Sequence, residues 1–171
     1  MKIPSGRLAP LLGALLLTLG TTTATGCFGR YGFIAIGTAI DVLPDGYVTV
    51  AVGGAPYYYH RGMFYQRHRH GYVVVAAPIG AVVMMPPPGH VIVMVERDPY
   101  AYYRGYFYRQ RGPGWVVVPG PPGAFVRRIP EGAVTRRVGN VEYKEYAGVY
   151  YRPAIRSGDR GWQVAEPPGR P

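Results

Sequence analysis

Three histidines lie in the first half of the chain, and histidine is the side chain most often used for metal binding and for proton transfer near neutral pH. His60 is followed by His68 and His70, which alternate with arginines in the sequence RHRH. A His-x-His pair on a β-strand places both rings on one face, where a transition metal could bind. The adjacent Arg67 and Arg69 repel a cation, and no nearby carboxylate completes a ligand set. A periplasmic metal site is therefore the alternative hypothesis, and a solvated basic loop is the simpler interpretation.

Residues suited to catalysis are scarce. Beyond position 27 the chain has a single serine, Ser157, and the paired carboxylates have no partner base: Asp41 with Asp45, and Glu142 with Glu145. We therefore expect no enzyme activity and no cofactor.

Tyrosine and arginine are better candidates for a binding surface. Aromatic rings beside arginines can stack on sugars and can donate charge-assisted hydrogen bonds to phosphates. The residues that we predict for such a surface are Tyr58, Arg61, Tyr65, Arg104, Tyr108 and Tyr151. The alternative is that these tyrosines pack between structural units, as regular positions in repeat proteins usually do.

The N-terminal segment has the features of an export signal that ends at a cysteine. A positively charged start precedes an apolar stretch at residues 8–20, which is too short to span a bilayer as a helix. The sequence ATGC at residues 24–27 resembles the lipobox of bacterial lipoproteins, with alanine where leucine is usual. This resemblance implies that residues 1–26 are removed and that Cys27 carries a lipid. An unmodified cysteine in an ordinary secretory signal is the alternative.

Lipidation would also fix the location of the protein. Several acyl chains at Cys27 would give durable membrane attachment. In lipoproteins an aspartate after the cysteine retains the protein at the inner membrane, and this chain has Phe28 there instead. The resemblance therefore implies the outer membrane and leaves the periplasmic or surface side open.

Basic residues outnumber acidic ones. The formal net charge is +10, and removal of Lys2 and Arg7 with the signal leaves +8, nearly all of it from arginine. Arginine is suited to forked contacts with phosphate and carboxylate groups. Because the chain is predicted to be exported, we expect no nucleic-acid partner; the expected polyanions are lipopolysaccharide, anionic lipid and peptidoglycan. The single cysteine excludes an intrachain disulfide.

A period of 43 residues runs through the chain beyond the signal. It predicts three tandem units at residues 37–79, 80–122 and 123–168, after a linker or strand at 27–36 and before a frayed tail at 169–171. A four-residue insertion lengthens the third unit. The recurring positions include Gly37, Gly80 and Gly123; Pro44, Pro87 and Pro130; Gly62, Gly105 and Gly148; and Tyr57, Tyr100 and Tyr143.

Each unit predicts a four-stranded antiparallel meander. In the first unit the strands are DGYVTVAV, PYYYH, MFYQR and YVVVA, which are rich in β-branched and aromatic residues. The following apolar segment, with the pattern P-x-G-A-V-V-x-x-x-P, is predicted to be a connector into the next unit. The 25 glycines and 18 prolines exclude helices outside the signal. The fold class is therefore all-β, either a row of meanders or a closed body similar to a β-trefoil.

The segment YYYHRGMFY at residues 57–65 predicts a hairpin with a two-residue turn at Arg61-Gly62. This register places Tyr59 opposite Phe64, and both are predicted to face the core. The opposite face is mixed and aromatic, and it carries the predicted binding tyrosines.

The whole pattern resembles an uncharacterised family of bacterial exported proteins. Members of that family carry tandem YYYxxGxYY hairpins, GYVVV strands and LPxG turns. Here LPDG at 43–46 and IPEG at 129–132 retain the turn, whereas PPPG at 86–89 departs from it. The resemblance covers residues 37–168 and implies an envelope location without implying an activity.

Overall fold

The computed structural model describes residues 34–169, and in that range it contains fifteen β-strands and no helix. None of the described residues forms a helix that could cross a membrane. The predicted signal at 1–26 and the predicted lipidation site at Cys27 lie outside the described residues. The all-β prediction is confirmed for the described part of the chain.

The strands form three antiparallel sheets of five strands each. In the first sheet the order is β1-β5-β4-β3-β2. Its strands are β1 (Ala39–Ile40), β2 (Val48–Val52), β3 (Ala55–His60), β4 (Met63–His68) and β5 (Gly71–Val75).

The second and third sheets have the same strand order as the first. The second contains β6 (Val82–Val83), β7 (Val91–Val95), β8 (Asp98–Tyr103), β9 (Tyr106–Arg111) and β10 (Gly114–Val118). The third contains β11 (Phe125–Val126), β12 (Val134–Val138), β13 (Val141–Tyr146), β14 (Val149–Arg156) and β15 (Asp159–Ala165).

The prediction of four strands per unit was wrong by one. The segment predicted as a connector contributes a two-residue strand that pairs with the last strand of its sheet, so that Val82 lies opposite Val116 and Val83 opposite Trp115. A strand of two residues is too short for alternation to reveal it. The trefoil-like arrangement is not confirmed, because every strand pairing among residues 34–169 joins strands of one sheet, which leaves three separate sheets.

The predicted hairpin register is present in the first sheet. Tyr59 lies opposite Phe64, and Tyr58 lies opposite Tyr65. Arg61 and Gly62 form the turn with φ values of 47° and 91°, both in the left-handed region that two-residue hairpin turns require.

The three sheets pack face to face. We call the face of each sheet that carries Phe64, or its equivalent Phe107 or Tyr150, the forward face, and the opposite one the rear face. The forward face of the first sheet packs on the rear face of the second, where Val50 and Phe64 meet Ala101 and Tyr108. The forward face of the second packs in the same way on the rear face of the third, through Val93, Tyr102, Phe107, Tyr146 and Tyr151. Both faces of the second sheet are therefore core.

A smaller cluster covers the rear face of the first sheet. Leu43, Tyr65 and Val74 are buried there, with Tyr58 and Tyr72 packed against them. The forward face of the third sheet instead carries charged side chains, since Arg136 forms an ion pair with Glu145 at 3.4 Å. The two ends of the stack thus differ in chemistry.

Candidate functional site

Three hairpins of the stack end in exposed basic side chains. They join β4 to β5, β9 to β10 and β14 to β15, and their turns lie at the end of each sheet opposite the turn that carries Gly62, Gly105 or Gly148. Because the Gly62 and Gly105 turns each contact the corresponding end of the next sheet, the opposite ends also line up along one side. We call this side the basic rim and define it by Arg67, Arg69, Arg109, Arg111, Arg156 and Arg160.

Each sheet places one rim arginine over an aromatic ring. The guanidinium carbon of Arg67 lies 5.8 Å from the ring centre of Tyr72, that of Arg109 lies 5.6 Å from Tyr100, and that of Arg156 lies 5.6 Å from Phe125. These distances allow cation–π attraction, which holds each guanidinium flat against a ring. A guanidinium stacked in this way still directs edge N–H groups to solvent, where they can donate to phosphate or carboxylate oxygens.

Hydrogen bonds also position the three stacked arginines. Arg67 donates to the Tyr72 hydroxyl at 3.4 Å, and Arg156 donates to the Gly123 carbonyl at 3.1 Å. Arg109 donates to Asp98 at 2.7 Å and is the one stacked arginine of the rim with an ion pair among the described residues. The rim is therefore partly organised before any ligand binds.

A cavity of about 500 Å³ opens on the third sheet beside the rim. Its lining includes Gly123, whose carbonyl Arg156 binds, together with Arg152, Gln163 and Glu166. The lining offers both hydrogen-bond donors and acceptors, as a sugar hydroxyl network would need.

Three of the four predicted binding tyrosines are buried. Tyr108 and Tyr151 lie between sheets, and Tyr65 is 1% exposed in the cluster on the rear face of the first sheet, so their rings cannot stack on a ligand. Burial raises the pKa of the Tyr108 and Tyr151 hydroxyls well above the usual range. Tyr58 is half-buried on the rear face of the first sheet, in edge contact with Tyr47 and Tyr72.

The two predicted binding arginines lie away from the rim. Arg61 and Arg104 are exposed in the turns that contact the next sheet, at the opposite end of the hairpins. The structure therefore does not bring the six predicted residues together in one surface. It places the buried tyrosines in the packing role that the alternative interpretation describes.

The three predicted metal ligands are also separated. His60 pairs with Met63 at one end of β4, whereas His68 and His70 lie at the other end beside Gly71. Five residue steps along β4 correspond to about 17 Å. Within residues 34–169, no group of three histidine, cysteine, aspartate or glutamate side chains is placed to hold a metal ion.

The sequence analysis did not predict most of the rim, because it did not compare the positions of basic residues between the three units. Arg67, Arg109 and Arg156 do not share one position in the 43-residue period, but they lie in the equivalent strands β4, β9 and β14. That recurrence of basic residues near one hairpin end was the available signal.

The chain matches the model of a family of unknown function, DUF6515, over residues 25–167. No curated protein and no solved structure matches it.

Proposed function

The chain belongs to this family, DUF6515, which brings no activity with it, and we propose that the protein is a non-enzymatic, lipid-anchored envelope module that binds an anionic or glycan component of the bacterial envelope. In this proposal three tandem copies of one sheet unit present the basic rim, and Cys27 carries the lipid. The predicted outer-membrane location belongs to the same proposal.

The observation that carries the proposal is the stacked arginine–aromatic pair, which occurs once in each sheet on the same side of the stack. Sheets pack about 10 Å apart, and Arg67 and Arg156 lie on the two outer faces of the stack, so that the three pairs would form a row about 30 Å long. A row of guanidinium groups fits a polymer with repeated anionic groups better than a single small ligand, because each group adds one contact. The cavity beside the third pair adds neutral hydrogen-bonding groups to this surface.

Binding can be tested with purified lipopolysaccharide and with purified peptidoglycan, which present phosphate and carboxylate groups respectively. We compare the double variant Arg67→Gln/Arg156→Gln with the matched variant Arg61→Gln/Arg104→Gln, which removes the same charge at the other end of the hairpins. The rim variant should bind roughly tenfold more weakly, as expected for the loss of two exposed charge-assisted hydrogen bonds. The matched variant should bind like the parent protein, and parent binding should weaken as salt screens the charges.

A comparison of the two polymers shows which chemical group the protein binds. Binding to lipopolysaccharide alone identifies phosphate recognition, and binding to peptidoglycan alone identifies carboxylate or sugar recognition. Equal losses in the two variants would indicate binding through net charge alone and would contradict a site at the rim. Binding that does not weaken when salt is added would contradict recognition of a polyanion.

The anchor has a separate test. Mass spectrometry of the native protein should find Cys27 as the first residue, with the added mass of its acyl chains. An unmodified N-terminus at another residue would contradict lipid anchoring and leave the rim proposal untouched.

A further inference from the structure

The contact between successive sheets is made twice in the same way. A Cβ atom added to Gly62 would lie 2.5 Å from the Tyr103 ring and 2.8 Å from Pro87. A Cβ atom added to Gly105 would lie 2.5 Å from the Tyr146 ring and 2.8 Å from Pro130. Each glycine turn therefore sits in a socket made by a tyrosine and a proline of the next sheet.

The two ends of the stack keep unused halves of this contact. A Cβ atom added to Gly148, the equivalent turn of the third sheet, would meet nothing within 4 Å. At the other end of the stack, Pro44 of the first sheet is equivalent to Pro87 and Pro130. His60 of the first sheet is equivalent to Tyr103 and Tyr146. Within residues 34–169, the turn of the third sheet thus meets no socket, and the socket of the first sheet receives no turn.

A tyrosine hydroxyl completes the socket in the third sheet. The buried Tyr151 hydroxyl donates to the Gly105 carbonyl of the preceding turn at 3.3 Å. Its equivalent in the first sheet, Tyr65, donates to the weakly accepting sulfur of Met63 at 3.7 Å. Tyr65 is itself buried, so the open part of the first-sheet socket is Pro44 with His60.

The substitutions at the two ends are chemically complementary. Glu145 of the third sheet occupies the position of Tyr59 and Tyr102. Tyr102 lies beside Tyr146, so that the same placement against a first sheet would bring Glu145 to His60. A carboxylate facing an imidazole replaces the contact between tyrosines found inside the chain.

We propose that copies of this protein associate head to tail, with the Ala147-Gly148 turn and Glu145 of one copy docked on Pro44 and His60 of the next. Such a contact is heterologous, because the two surfaces differ, and it produces a filament or a closed ring. It is weaker than the contacts within the chain, since Arg136 and Glu145 must lose water and since covalent linkage no longer holds the sheets together. Assembly should therefore depend on protein concentration.

The test uses variants that block one surface each, and sedimentation velocity of the full chain as the measurement. Gly148→Asn adds a side chain to the docking turn, and His60→Asp places a second carboxylate against Glu145. Each variant should remain monomeric at concentrations where the parent protein forms larger species. The matched control is Gly158→Asn, which changes a turn glycine of similar φ, 86° against 81°, that also has open space around it, in the β14–β15 hairpin. It should assemble like the parent protein.

Mixing the two blocked variants gives the sharpest result. Gly148→Asn retains a socket and His60→Asp retains a turn, so an equimolar mixture should form dimers and stop there. Parent protein that stays monomeric at every concentration would overturn the proposal, as would Gly148→Asn protein that assembles normally. Aggregation through the N-terminal apolar segment would persist in both blocked variants, and that result would also overturn it.

Discussion

At the scale of single residues, Tyr108 and Tyr151 occupy equivalent positions in successive sheets but differ in their hydrogen bonding. Both are fully buried. The Tyr151 hydroxyl donates to the Gly105 carbonyl, whereas the Tyr108 hydroxyl is buried without a hydrogen-bond partner among residues 34–169. A buried hydroxyl without a partner costs free energy, and a paired one contributes a little.

Removing these hydroxyls should therefore have different effects. Tyr151→Phe should lower the free energy of unfolding by about 1 kcal/mol, because the Gly105 carbonyl also loses its donor. Tyr108→Phe should leave the free energy of unfolding unchanged or raise it. Urea unfolding followed by circular dichroism measures both, and a larger loss in Tyr108→Phe would contradict this account of the tyrosine layer.

The same layer predicts sensitivity to alkali. Burial raises the pKa of Tyr59 and of Tyr102 to about 12, and it raises those of Tyr106, Tyr108 and Tyr151 further. In the unfolded chain these hydroxyls ionise near pH 10, so that above about pH 10 the unfolded state binds fewer protons than the folded state. The free energy of unfolding should be steady below that pH and should fall as the pH rises above it. Urea midpoints across this range test the prediction, and a midpoint that does not fall would contradict buried, neutral tyrosines.

At the scale of elements, the three glycine turns share a backbone conformation but not an environment. Their φ values are 91°, 91° and 81° at Gly62, Gly105 and Gly148, whereas only the first two contact another sheet. A side chain at positive φ would strain the backbone at all three positions. At Gly62 and Gly105 it would also clash with the next sheet.

Alanine substitution separates the two costs. Gly148→Ala should lower the free energy of unfolding by about 1 kcal/mol, from backbone strain alone. Gly62→Ala and Gly105→Ala should lose a further 1–3 kcal/mol or so, because the methyl group is forced against proline and tyrosine. Three equal losses, measured by urea unfolding, would contradict the turn-in-socket contact.

Local patterns in the sequence predicted the strands and the hairpin register because turn glycines and alternating side chains act over short distances. The packing of sheets was harder to predict. The sequence analysis assigned the core to the face with Tyr59 and Phe64, but Tyr108 and Tyr151 on the opposite face are equally buried. Tyrosine suits both a wet surface and an apolar layer, so alternation of tyrosines does not reveal which face is covered.

At the scale of the whole molecule, the stack places apolar side chains and charged side chains in different regions. The layers between the sheets are apolar and aromatic, and among residues 34–169 the core contains no buried charged side chain. The arginines of the rim are then brought to one side by hairpin register and by sheet stacking together. A search for motifs within one unit finds neither effect, and the basic rim therefore could not be predicted in full from residue types.

The central claim is that the three hairpin ends act together on one polyanion. The most direct measurement is affinity for the bound polymer as the ends are neutralised in turn, with Arg69→Gln, then Arg69→Gln/Arg111→Gln, then the triple variant with Arg160→Gln. We predict that each step weakens binding by a similar factor, roughly three- to fivefold for one exposed charge contact. Affinity that survives the triple variant, or that is lost entirely with a single end, would contradict a shared binding row.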